Sequence, residues 1–220
     1  LMNLLVKPRL TDLKTEIIEY ELPKSSKPLY PLYDGKNSIW ISDASAPRLW
    51  RYSLDTQNFT SYSFDGLVSM FLTQDNQGKI WFVDTPRNQI GYFDPTNNQI
   101  TTKSLPKIAP VIYDNTPTFI QADFHGNIWI SITNKDVILK YQPVLDSFEE
   151  INMPTRESLP FALTIDNEGK IWFTESSSGK IGFIDPENNK ITEFSPEPAL
   201  ASPEALIFDK AGNLWIAEHT

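Results

Sequence analysis

Apolar residues along this chain fall in short runs with a period of two, broken at regular intervals by Asp, Asn, Gly and Pro. The run Lys170-Ile171-Trp172-Phe173-Thr174-Glu175 is followed by Gly179 to Ile184 and then by Ile191-Thr192-Glu193-Phe194. Alternation over about five residues predicts half-buried β-strands, and no stretch sustains the 3.6-residue period of a helix. The polar breaks at 75–79, 94–98, 166–170, 185–189 and 209–213 combine Asp, Asn and Gly or Pro. These residues tolerate left-handed backbone and so read as hairpin turns. In the stretch that shows it best, four strands are expected at Phe161–Ile165, Lys170–Glu175, Gly179–Ile184 and Lys190–Phe194.

The strands repeat as a set. Trp40, Trp81, Trp129, Trp172 and Trp215 are separated by 41, 48, 43 and 43 residues. Aligned on Trp, Gly78-Lys79-Ile80-Trp81-Phe82 recurs as Gly126-Asn127-Ile128-Trp129-Ile130, Gly169-Lys170-Ile171-Trp172-Phe173 and Gly212-Asn213-Leu214-Trp215-Ile216. A period of about 40 to 50 residues with four antiparallel strands per unit is that of a β-propeller blade. The fold class is therefore all-β, a β-propeller of four-stranded antiparallel blades. One domain over residues 1–220 is expected, with blades at about 26–64, 67–106, 109–154 and 158–197, and a fifth from 201–220 with 1–23. That fifth unit would take strands from both termini. The Trp at each repeat reads as a wedge between blades, while Trp50 lies off the period on a third strand.

Composition narrows the chemistry. The chain of 220 residues has no Cys, two His, six Trp and a net charge of −9, with a pI near 4.7. Disulfides, thiolate metal sites and a Cys nucleophile are excluded, and the acidity argues against nucleic acid as a partner. No apolar run is long enough to span a membrane. Leu1 to Leu5 is apolar but short and lacks a basic leader, and Asn58-Phe59-Thr60 matches a glycosylation acceptor, a triplet that often arises by chance. The acidic charge and polar outer strands instead set the expectation of a secreted or extracytoplasmic protein.

The unit at 169–196, Gly-x-Ile-Trp-Phe-Thr-Glu followed by Lys-Ile-Gly-x-Ile-Asp-Pro and Ile-Thr-Glu-Phe-x-x-Pro, resembles the repeat of the streptogramin B lyase (virginiamycin B lyase) family. The resemblance extends over nearly the whole chain. It implies a seven-bladed ring, of which these five units would be a window. It also implies opening of a cyclic depsipeptide at its ester by elimination, helped by a divalent metal, usually magnesium. In such proteins the base and metal ligands sit in a Pro-His motif where each first strand begins, and where second strands end. The matching first-strand positions here are Tyr30, Met70, Phe119, Phe161 and Glu204, none of them His; the second strands end at Asp43, Asp84, Ser131, Glu175 and Glu218.

Both sets lie at one end of the blades, around the mouth of the central channel. Tyr30, Phe119, Phe161 and Glu204 are thus the expected ligand-contacting residues. Asp43, Asp84, Glu175 and Glu218 would form an acidic rim. No cofactor is demanded by the sequence, but converging carboxylates would suit Mg²⁺ or Ca²⁺. The competing reading has each acid capping the turn of its own blade. His219 is the one imidazole placed to act as a base; His125 falls in a hairpin at the opposite end. Three functions compete: a non-catalytic module recognising a small molecule, peptide or protein; a metal-assisted lyase or lactonase opening a cyclic ester; and a WD40- or NHL-like interaction domain, which lacks its Gly-His and Trp-Asp signature here. Missing histidines favour the first.

Overall fold

The structure, a computed structural model, describes residues 19–64, 70–110 and 114–219. Strands β1 (Pro28–Tyr33), β2 (Ser38–Asp43), β3 (Arg48–Ser53) and β4 (Asn58–Ser63) make the first sheet, and β5 (Leu72–Gln74), β6 (Ile80–Asp84), β7 (Gln89–Asp94) and β8 (Gln99–Ser104) the second. The third holds β9 (Pro117–Ala122), β10 (Ile128–Ile132), β11 (Val137–Gln142) and β12 (Ser147–Asn152). The fourth holds β13 (Pro160–Ile165), β14 (Ile171–Glu175), β15 (Lys180–Ile184) and β16 (Ile191–Phe194), and β17 (Pro203–Phe208) pairs with β18 (Leu214–Glu218). Every sheet is an antiparallel meander whose neighbours in sequence are neighbours in space. The first strands β1, β5, β9, β13 and β17 pack one against the next. This is a β-propeller, with those strands innermost. The strands expected before Pro23 fall mainly on residues 1–18, outside the described residues, and residues 19–23 carry no strand.

Central strands β6 and β10 are buried at every position, because each blade is covered on both faces. Three apolar clusters fill the interfaces. Trp40 packs with Leu72, Ile80 and Phe93 of the second blade. Trp81 packs with Ile120 and Ile128 of the third, and Trp129 with Leu163 and Ile171 of the fourth. Each of these three Trp therefore reaches into the following blade, as a wedge should.

The hairpins between first and second strands explain how the wedge is aimed. Asp123 Oδ1 accepts the N–H groups of His125 and Asn127, and Oδ2 accepts the Trp129 Nε1–H at 2.9 Å. The same clip joins Trp81 to Asp75 at 2.8 Å, Trp172 to Asp166 at 2.8 Å and Trp215 to Asp209 at 2.9 Å. Gly78, Gly126, Gly169 and Gly212 close these turns at φ between 82° and 86°, a region a side chain seldom enters. The first hairpin lacks the clip: Asp34 holds the backbone of Lys36, Asn37 and Ser38, and Trp40 lies beneath the Arg51 guanidinium instead.

Trp50 finds its explanation in cross-strand volume. The pairs Phe82 with Gly91 and Phe173 with Gly182 set a ring against no side chain, while Ile41 with Trp50 reverses the sizes. A methyl group at Gly182 would lie 2.5 Å from the Phe173 ring. Trp50 is buried, its Nε1–H donating to Asp43 at 2.9 Å.

Candidate functional site

Strand pairing sets Pro28 opposite Asp43, Pro160 opposite Glu175 and Pro203 opposite Glu218. Starts of first strands and ends of second strands thus share one end of each of these blades. At this end the first strands are irregular, with breaks in register between Pro28 and Pro31, between Pro160 and Leu163, and between Pro203 and Ala205. A slip of one residue swaps the face on which a side chain lies. The regular part fixes the true equivalence: Pro31, Leu72, Ile120, Leu163 and Leu206 face Ile41, Phe82, Ile130, Phe173 and Ile216.

Counting back gives two rings. One residue earlier stand Tyr30, Phe71, Phe119, Ala162 and Ala205; two residues earlier stand Leu29, Met70, Thr118, Phe161 and Glu204. Side-chain anchors support the register. The N–H groups of Tyr30, Phe119 and Ala162 donate to Ser42 Oγ, Ser131 Oγ and Thr174 Oγ1 at 3.0, 2.9 and 3.0 Å. The sequence-based set therefore mixes the rings: Tyr30 and Phe119 belong to the first, Phe161 and Glu204 to the second. Leu29, Thr118 and Phe71 were missed, and no His occupies either ring.

The aromatic members of the first ring converge. The Phe71 and Phe119 rings lie 4.5 Å apart, with Tyr30 at 5.2 Å from Phe71 and 5.7 Å from Phe119. Phe161 closes on Phe71 at 6.0 Å. Four blades thus contribute to one aromatic floor, and burial there pushes the Tyr30 hydroxyl above its usual range. Leu29, 45% exposed, and the exposed Glu204 stand at its border.

The acids do not converge. Asp43 is buried and accepts from Lys27 N–H, Ser45 N–H, Arg48 Nε at 2.7 Å and Trp50 Nε1. Asp84, also buried, takes Arg87 at 3.1 Å and Gln89 at 2.9 Å. Glu175 is fully buried and turned into its own blade, where Ser178 donates to it. Glu218 accepts the Ala201 N–H, and the exposed His219 beside it donates its backbone N–H to the Ser202 carbonyl. Among the described residues no three His, Asp or Glu come together to hold a metal. The expected acidic rim does not assemble: donors of their own short turns occupy Asp43 and Asp84, Glu218 takes one backbone N–H, and Glu175 is turned into its blade with one oxygen unpartnered. As they stand, Asp43 and Asp84 are occupied by their own turns and offer a divalent ion no shared site. His125 lies in the turn held by Asp123.

A family model described as the virginiamycin B lyase family matches residues 8–220. The chain belongs to this family. Virginiamycin B lyase from Staphylococcus aureus is 27% identical with a TM-score of 0.76, the alignment covering 89% of this chain and 64% of that one. A catalytically inactive His-to-Ala variant of the S. aureus lyase, solved with quinupristin, is 26% identical over 94% of this chain and 69% of that one, with a TM-score of 0.80. A streptogramin B lyase is 25% identical over 92% and 66%, also at 0.80. No curated protein matches the sequence. This member of the virginiamycin B lyase family thus spans about two thirds of the length of the lyases it resembles. No helix among its described residues is long and apolar enough to cross a membrane.

Proposed function

We propose that this stretch of a virginiamycin B lyase-family propeller recognises a compact, aromatic-bearing ligand at its inner-strand mouth and does not itself carry out acid–base chemistry. The aromatic floor of Tyr30, Phe71, Phe119 and Phe161 carries this reading. Offset and edge-to-face rings offer apolar area and quadrupole contacts to another ring, and the bordering Leu29, Met70 and Thr118 add apolar and hydroxyl contacts. Elimination at an ester needs a base within reach of an α-proton. The two rings offer none but the exposed Glu204, and the neighbouring carboxylates Asp43 and Asp84 are spent on their own turns.

A cyclic depsipeptide with aromatic side chains has the required shape, and quinupristin, the ligand solved with the S. aureus lyase variant, is the probe to use. Titration calorimetry should show binding that Phe161→Ala weakens about tenfold, the worth of one aromatic contact. Chromatography after long incubation with Mg²⁺ should return the cyclic compound unchanged. Metal-dependent ring opening would overturn the proposal in favour of a metal-assisted lyase, the reading that family membership favours.

A further inference from the structure

At the seam between the third and fourth blades, side-chain hydroxyls of one sheet take up backbone carbonyls of the next. The opening of β13 carries one residue more than the strand it pairs with: Pro160 stands opposite Glu175, and Leu163 opposite Phe173. An extra residue of this kind leaves the ladder locally unpaired, and a carbonyl withdrawn from the ladder needs another donor. The third blade supplies two. Thr133, the residue after β10, donates to the Pro160 carbonyl at 2.9 Å, and Ser131, within β10, donates to the Phe161 carbonyl at 2.7 Å.

The Thr133 bond belongs to a series. Thr85 donates to the Pro117 carbonyl at 2.6 Å and Ser176 to the Pro203 carbonyl at 3.1 Å. Each of these hydroxyls stands four residues after the Trp of its blade and reaches the Pro that opens the next; in the first blade the position is Ala44. At the third seam the Ser131 bond is added. Ser131 is fully buried, and the same oxygen accepts the Phe119 N–H at 2.9 Å. One atom thus joins the backbones of two floor residues from different blades. Ser131 and Thr133 each have one proton, and both are committed to β13. Thr118 Oγ1, at 2.9 Å from Ser131 Oγ and 2.6 Å from Thr133 Oγ1, therefore donates into the pair.

We infer that Ser131 and Thr133 are positioning residues of the mouth: they fix the backbone of Phe161 against that of Phe119 and so hold the floor in the form that receives its ligand. The functional half of this statement rests on the recognition role proposed above. Neither residue needs to touch the ligand. Both act through Phe161, and a ligand that meets rings already in place loses less of its binding energy to ordering them.

Nuclear Overhauser contacts between the Phe71 and Phe161 rings, whose centroids lie 6.0 Å apart, read the position of Phe161 without ligand, and titration with quinupristin reads its use. Ser131→Ala and Thr133→Val should each weaken the ring contact at least twofold, and together abolish it. The double variant should bind quinupristin at least tenfold more weakly. Ser131→Thr should keep the contact and bind within twofold of wild type, because Thr174 holds the equivalent place in the fourth blade and accepts the Ala162 N–H in the same way. Ser176→Ala removes a bond of the same kind one seam further on and should leave the Phe71–Phe161 contact unchanged. Thr133→Val preserves side-chain volume, so it carries the test even if Ser131→Ala does not fold. An undiminished ring contact in folded Thr133→Val would overturn the positioning role, as would an equal loss of contact in Ser176→Ala. Failure of wild type to bind quinupristin, with the ring contact responding to the variants as expected, would overturn the recognition reading alone.

Discussion

Replacing Asp123 with Ala removes the acceptor at the centre of the third hairpin. Asp123 is 4% exposed and takes four hydrogen bonds, from His125 N–H, Asn127 N–H, Asn127 Nδ2 and Trp129 Nε1. The turn amides and Asn127 are half-buried and can turn to water. Trp129 cannot: it is wholly buried between the third and fourth blades. A stranded buried donor costs about 1–3 kcal/mol, and a bond to a charged acceptor contributes about as much, so about 3–4 kcal/mol is expected. For a domain of this size that is a fall in Tm of roughly 10 °C. Calorimetry on Asp123→Ala measures it, and Asp209→Ala is the control. There the same clip holds Trp215, which is 46% exposed, so water replaces the lost acceptor and less than half the fall is expected. Equal losses for the two variants, or a fall below about 3 °C for Asp123→Ala, would refute the argument that burial of the indole N–H sets the cost.

Gly182→Ala forces a methyl to 2.5 Å from Phe173 and 2.7 Å from the Thr192 carbonyl; a loss of about 1–3 kcal/mol in urea unfolding is expected. Adding Phe173→Leu should recover part of it, since Ile130 faces Leu139 in the third blade without a ring. Acid should act through two turn carboxylates, Asp43 and Asp209. Burial raises the Asp43 carboxyl, but hydrogen bonds from Ser45 and Trp50 outweigh it and hold it well below the usual range; Asn213 and Trp215 bring Asp209 to about 2. Their stabilisation is full above the unfolded value near 3.8 and is lost as pH falls through the folded values. Asp43→Asn should therefore flatten the acid limb of a Tm-against-pH curve below pH 4, and an unchanged limb would count against it.

Much of the fold was legible because one blade is written four times and its first two strands a fifth. Strands expected at Phe161–Ile165, Lys170–Glu175, Gly179–Ile184 and Lys190–Phe194 lie within one residue of β13, β14, β15 and β16. The site was less legible, for two physical reasons. Periodicity assigns faces only while a strand is regular, and β1, β13 and β17 are irregular where they reach the mouth. Tyr30 and Phe161 thus stood in one set although they occupy different rings. Direction was the second gap. That Asp43, Asp84 and Glu175 end their strands is plain from spacing, but a carboxylate there either faces the channel or bends back to its turn. Ser45, Arg87 and Ser178, two or three residues further on, were the available signal. The Asp-to-Trp clip was equally open to view as a constant six-residue interval.

That clip bears on how the chain acquires its shape during synthesis. Its partners are six residues apart, so Trp81, Trp129, Trp172 and Trp215 can each be oriented by a hairpin that closes in microseconds, before the following blade has been made. Loop-closure entropy then falls mainly on contacts between successive blades, whose separation is about one repeat whatever the size of the ring. A propeller assembled this way grows blade by blade, each clipped hairpin arriving with its wedge already set for the blade still to come.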